Sequence, residues 1–200
     1  MAFLKAIVLR ACKPRGVWGV PGAWFRAAAL VLTVGAGLAA QGGRAPEYQV
    51  KAVFLFNFAQ FVDWPPEAVP DSKAPLVIGV LGDDPFGGFL EATVRGEHRG
   101  ARPFVVRRFK RVEDIKTCDI LFISQSEGDR VDEILATLKS RPILTVSDGE
   151  AFAERGGMIR FVTESNRIRL KINLQAAQAA HLTISSKLLR VAEIVTPTRS

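Results

Sequence analysis

Two hundred residues carry 27 Lys and Arg against 20 Asp and Glu, a formal charge of +7, with 48% hydrophobic residues, two Cys and two His. That size excludes a chain too small to bury a core and points to one ordinary domain. The positive charge is not spread evenly, and its position decides what it means.

Lys5, Arg10, Lys13, Arg15 and Arg26 precede an uncharged run from Ala27 to Ala40, and the first forty residues hold no acidic residue. A basic stretch, an apolar stretch and the small-x-small site Gly37-Leu38-Ala39 are the three parts of a secretory signal peptide, cut after Ala39 or Ala40. Removing five from 27 leaves 22 basic residues against 20 acidic ones, or +2, in residues 41–200. The basic balance is therefore a targeting signal, and nucleic acid is excluded as a partner. A retained anchor needs about 18 or more apolar residues, and only 17 residues separate Arg26 from Arg44. No membrane insertion is expected after cleavage. A lipoprotein would need a Cys just behind the apolar run, whereas Cys12 precedes it. The expected product is an exported protein with residues 1–40 as signal and 41–200 as one domain. Cys118 then stands alone, so the monomer closes no internal disulfide. Its place in CDILFIS makes it a small buried hydrophobe.

Residues 47–64 read as a helix stopped by Pro65 and Pro66. A loop with four Pro follows, to residue 75. Leu76–Leu81 is a continuous apolar run ending at Gly82, as in a strand buried on both faces. A helix is expected over Phe86–Val94, then strands over Pro103–Phe109, Asp119–Ser124 and Ile143–Ser147. Between the last two, Val131, Ile134, Leu135 and Leu138 share one face of a helix over Asp129–Lys139. Alternating strands and helices predict parallel βαβ units.

The pattern then changes. Met158–Val162 and Ile168–Ile172 are strands joined by a polar turn over 163–166. Arg167, Arg169 and Lys171 alternate with Ile168, Leu170 and Ile172, a period of two that gives one wet face and one dry face. The reading is an antiparallel hairpin at the sheet edge, where positive charge discourages strand addition. Asn173 caps a last helical region from Leu174 to about Val195, with Ser185 able to restart it after Thr183 and Ile184. The fold class is α/β: a single mixed, mostly parallel sheet with helices on both faces and an antiparallel hairpin near the C-terminus.

In the first helix Val50, Phe54, Phe58 and Phe61 form the expected core stripe. On the other side, Gln49, Val53, Phe56, Gln60 and Asp63 follow one another at steps of four and three. Val53 and Phe56 thus sit on the face that should meet solvent. Either the Pro-rich loop covers them, or another chain does. Val53, Phe56 and Gln60 are the candidate partner or dimer surface, and Phe56→Asp is expected to leave the fold intact while weakening association.

Catalytic groups are sparse. No G-x-S-x-G elbow, HExxH, CxxC or EF-hand loop occurs. His98 and His181 are far apart and lack a carboxylate or second His at ligand spacing. The segment from Gly82 to Gly88 follows a strand and opens a helix, but its Gly spacing is wrong for a phosphate loop and Asp83 and Asp84 repel phosphate. A receiver-type acidic pocket needs an Asp where Ser124 stands and a Lys on a later strand. With parallel strands, Asp83, Asp84, Ser124, Ser147 and Asp148 gather at strand carboxyl ends, where open α/β sheets bind ligands. Helix capping is the competing role for the same residues. No catalytic residue, metal site or cofactor is expected.

The ordered set N-F-x-x-F-V-x-W-P (57–65), G-D-D-P-F (82–86), G-G-M-I (156–159) and I-N (172–173) followed by L-L-x-x-A (188–192) resembles the YfiR family over roughly residues 47–195. The resemblance implies a mixed α/β sheet with helices on both faces, a homodimer, and no enzyme activity. It also implies a periplasmic repressor of an inner-membrane diguanylate cyclase of the YfiN type, bound at the cyclase's periplasmic sensor domain. An OmpA-like outer-membrane lipoprotein of the YfiB type would sequester it, with cyclic-di-GMP and biofilm formation as the output. A small-molecule-binding module using the strand-end cleft is the alternative function. Well-studied members carry a Cys pair near G-G-M-I, whereas this chain has Phe152 and Arg155 there, so redox control through that pair is not expected.

Overall fold

The described chain opens with an 18-residue helix, α1 (Arg44–Phe61), that runs straight into a two-residue strand, β1 (Val62–Asp63). The computed structural model describes residues 44–68, 71 and 73–196, so the expected signal peptide and its cleavage site lie outside the described residues. Helix α1 buries Ala52, Leu55, Phe58 and Ala59 at helical spacing. The core stripe expected from the Phe positions is rotated: Val50 is 47% exposed, and Phe54 and Phe61 are only half-buried. The reason is Lys51. A hydropathy pattern places it outside, yet it is buried because Glu47 and Asp148 answer its charge.

The main sheet contains β2 (Leu76–Leu81), β3 (His98–Arg99), β4 (Arg102–Phe109), β5 (Ile120–Ile123), β6 (Leu144–Ser147), β7 (Ile159–Glu164) and β8 (Arg167–Ile172). A last strand, β10 (Glu193–Ile194), completes its order of β10-β8-β7-β6-β5-β2-β4-β3. From β4 through β7 every neighbouring pair is parallel. Helix α2 (Phe89–Val94) follows β2, and α3 (Val131–Leu138) follows β5 after a 3₁₀ segment, Gln125–Arg130. Because the strands are parallel and crossed over by helices, both faces of the sheet are covered. In β5, Ile120 and Phe122 enter the core with α1 and α2, whereas Leu121 and Ile123 enter the core with α3. The α/β class with a mostly parallel sheet and the β7–β8 hairpin are as expected.

The hairpin turn places Ser165 at φ 47° and Asn166 at φ 60°, the paired left-handed conformation that matches strand twist. Leu170 and Ile172 are buried and Arg167 and Arg169 exposed, the wet and dry faces anticipated. The hairpin is not the sheet edge, however. Beyond it β10 pairs parallel with β8, Glu193 opposite Lys171 and Ile194 opposite Ile172.

That strand exists because the long final helix does not. Helix α4 (Leu174–Ala179) ends within two turns, and His181 adopts φ 59°. Next, β9 (Thr183–Ile184) pairs antiparallel with β1 as a separate two-stranded ribbon, Val62 opposite Ile184. The β-branched pair takes the free edge of β1 instead of helical hydrogen bonds. Ser185 Oγ accepts from Lys187 N and starts the short α5 (Ser186–Leu189).

Candidate functional site

The strand-end residues singled out in the sequence fall into two groups that do not meet. After β2, the chain turns at Gly82, with φ 87°. A Cβ there would lie 2.5 Å from Ser126 Oγ and 2.8 Å from Glu127 Cγ. The start of the 3₁₀ segment therefore packs directly on the end of β2, and Asp83 N donates to Ser126 Oγ at 2.9 Å. The crevice at the β2/β5 switch point, where such sheets admit ligands, is filled by the chain itself. Asp84 Oδ1 accepts from Phe86 N, and its Oδ2 binds Arg108 at 2.7 Å. Arg108 also binds Glu91 and the Gly87 carbonyl. Its hydrogen bond holds the Glu91 carboxyl below the usual range, and the same contact raises the guanidinium's own pKa. Asp84 thus holds the β2–α2 connection, and neither Asp83 nor Asp84 lines the cavity described next.

Ser124, Ser147 and Asp148 do come together. With Gln125, Gly149 and Arg160 they line a cavity of about 390 Å³ beyond the ends of β5 and β6. Ser147 Oγ donates to the Ile123 carbonyl at 2.7 Å and accepts from Gly149 N at 3.0 Å, which fixes the turn out of β6. Ser124 Oγ caps the 3₁₀ segment by accepting from Ser126 N. Arg160 was not among the sequence candidates, although a single Arg between the apolar Ile159 and Phe161 was the available signal.

Asp148 reaches across to α1. Its Oδ2 accepts from the Lys51 ammonium at 2.6 Å and from the Tyr48 hydroxyl at 2.7 Å. Both charged side chains are almost wholly buried, at 2% and 4% exposure. Lys51 Nζ also sits 4.4 Å from the Tyr48 ring centroid, a cation–π contact. This pair joins the strand-end loop to the N-terminal half of α1.

The second candidate surface divides as well. Val53 is 46% exposed and Gln60 is exposed, whereas Phe56 is half-buried with its ring 5.1 Å from that of Phe104 on β4. Phe56→Asp would therefore disturb packing, whereas the sequence-based expectation left the fold intact. Among the described residues of α1, the large apolar side chains that are exposed are Val50 and Val53.

The motif residues are mostly framework. Trp64 Nε1 donates to the Asp119 carbonyl, and Phe86 packs edge-on against Phe122 and Tyr48. Asn173 is buried, capping α4 through Oδ1 and donating from Nδ2 to the Ala153 carbonyl. Gly157 lies under Phe152: a Cβ there would fall 2.1 Å from the ring. Cys118 is free, its sulfur turned in against Gly79 and the Ile120 carbonyl. Burial pushes its thiol up to about 12, so it is neutral and a poor nucleophile at ordinary pH. His98 is exposed on β3, and His181 is exposed beyond α4, not within a helix.

A larger groove of about 700 Å³ lies on the α3 side, floored by Leu135, Ala136, Ala176 and Ala180 with Glu154 and Arg155 beside it. Among the described residues no group of three His, Cys, Asp or Glu is placed to hold a metal ion, and no helix is long and apolar enough to cross a membrane.

No curated protein matches the chain. Comparison with protein families matches residues 48–193 to the YfiR/HmsC-like family. The matched span begins at Tyr48, ends at Glu193, and so contains the buried Lys51–Asp148 tie, the whole main sheet up to the first residue of β10, and both groups of strand-end residues. The chain belongs to the YfiR/HmsC-like family.

Proposed function

We propose that this protein is a periplasmic repressor that acts by contact: it binds the periplasmic sensor domain of an inner-membrane diguanylate cyclase and holds the cyclase inactive. Membership of a family of periplasmic regulators of cyclic-di-GMP signalling carries this reading. The mechanism is a population shift, in which the repressor stabilises one of two cyclase states by binding it better. Val53 and Val50 on α1 supply an apolar surface of the kind a partner covers, and a homodimer would use the same kind of face. An OmpA-like outer-membrane lipoprotein would act by sequestering the repressor, releasing the cyclase and promoting biofilm formation. The export signal read over residues 1–40 is consistent with that location.

The test is genetic and biochemical. Deleting the gene should raise cellular cyclic-di-GMP, and the wild-type gene should restore the basal level. Processed protein should appear in the periplasmic fraction. A Val53→Asp variant should be exported and folded yet fail to restore repression. Unaltered cyclic-di-GMP in the deletion strain would reject the proposal.

A further inference from the structure

Arg160 is the one cation lining the strand-end cavity, and among the described residues its Nε has no hydrogen-bond partner. It lies on β7 beside Ser147 of β6. Its neighbours Ile159 and Phe161 turn into the α1 core, so Arg160 faces the other side of the sheet, where it lines the 390 Å³ cavity. Its Nε is sealed from solvent without a hydrogen-bond partner, while the residue as a whole is half-buried. Other shielded arginines differ. Arg102 binds Asp119 and two carbonyls, Arg141 binds the Ile115 and Lys116 carbonyls, and Arg155 binds Asp132. A guanidinium N–H held out of water without an acceptor is unfavourable, and a fold that leaves one at the mouth of a strand-end cavity leaves a place for an anion.

We propose that this cavity binds a small organic oxyanion, a carboxylate or a phosphate ester, through Arg160. The guanidinium fork suits either oxyanion through two parallel hydrogen bonds. The volume lies within the range of small-ligand sites. Two carboxylates share the cavity. Asp148 has its Oδ2 committed to Lys51 and Tyr48, while its Oδ1 is buried without a partner. Glu150 is exposed at the rim. A ligand carrying a hydroxyl or N–H beside its oxyanion would suit that acidic side, and Glu150 sets an upper limit on how much negative charge is tolerated. This inference does not depend on the cyclase partner.

The experiment is a ¹⁵N chemical-shift titration of the purified protein with inorganic phosphate and, separately, with succinate, each against chloride at matched ionic strength. Saturable shifts of the Ser124, Gly128 and Gly149 amides at probe concentrations up to about 20 mM are expected, a weak-site range. Saturation by phosphate alone assigns a phosphate ester, and by succinate alone a carboxylate. Arg160→Gln should weaken binding about tenfold or more. Glu150→Gln should tighten it by roughly threefold, as expected on removing a nearby exposed like charge. No saturable shift in the wild type, or shifts away from these amides, overturns the proposal. So does unchanged affinity in a folded Arg160→Gln protein. If that variant does not fold, unchanged affinity in Glu150→Gln decides against it.

Discussion

Lys51 Nζ lies 2.6 Å from Asp148 Oδ2, across 97 residues of sequence, with both side chains out of water. Breaking such a pair leaves one buried charge unanswered, whereas replacing both partners removes the problem. Lys51→Met should therefore destabilise the protein by about 3 kcal/mol, leaving Asp148 with the Tyr48 hydroxyl in place of a cation. Lys51→Met combined with Asp148→Leu should recover at least about 1 kcal/mol of that loss in a double-mutant cycle followed by urea unfolding. Strict additivity would show that the two charges do not act as a unit.

Gly157 and Phe152 make a second tie. A methyl group on Gly157 would fall 2.1 Å from the ring of a fully buried Phe152, which has no free volume to enter. Gly157→Ala should lower stability by about 2–3 kcal/mol through overpacking. Gly88→Ala, where an added Cβ meets nothing within 4 Å, should change it by less than about 0.5 kcal/mol. Urea midpoints of the two variants at constant slope test the contrast.

The Cys118 thiol is pushed up to about 12 chiefly by burial, from an ordinary value of 9.0. The folded state therefore keeps its proton where the unfolded chain has lost it. Stability from this group is fully present below pH 9.0 and declines as pH rises from there toward about 12. Cys118→Ala should flatten the alkaline side of the stability curve, read as urea midpoints between about pH 8 and 11. Thiol reagents should label the native protein more slowly than the unfolded one, because the half-buried Cys118 turns its sulfur inward; equal rates would contradict that orientation.

Val53 and Phe56 separate packing from contact. Val53→Asp alters a side chain that is 46% exposed and should change stability by less than about 0.5 kcal/mol. Phe56→Asp removes a ring packed against Phe104 and should cost about 2–3 kcal/mol. Thermal unfolding of both variants, alongside sedimentation of the purified proteins, gives stability and self-association from the same samples.

Much of the framework was legible in the chain. The unbroken apolar run of β2, the alternation of β8, the helical spacing of α3, and the capping by Asn173 and Ser185 all follow from the chemistry of neighbouring residues. Strand and helix alternation was enough for a parallel sheet with helices on both faces. The last helical region was misread for a physical reason: Thr183 and Ile184 pair with β1, and the partner edge lies about 120 residues away in sequence, beyond any local window. Without that pairing in view, β10 and the covered hairpin edge were invisible too.

The candidate site shows the same division. Which residues stand at strand carboxyl ends was readable once parallel strands were inferred. Whether those ends are open depended on Gly82 packing against Ser126, on Arg108 recruiting Asp84, and on Lys51 entering the core to meet Asp148. Local periodicity and punctuation are properties of adjacent residues, so the sequence alone determined the elements and their broad arrangement. Burial of a charge and closure of a crevice are settled by groups brought together from distant parts of the chain, so only the tertiary structure decided which face of α1 is buried and that Arg160, not Asp83, lines the strand-end cavity.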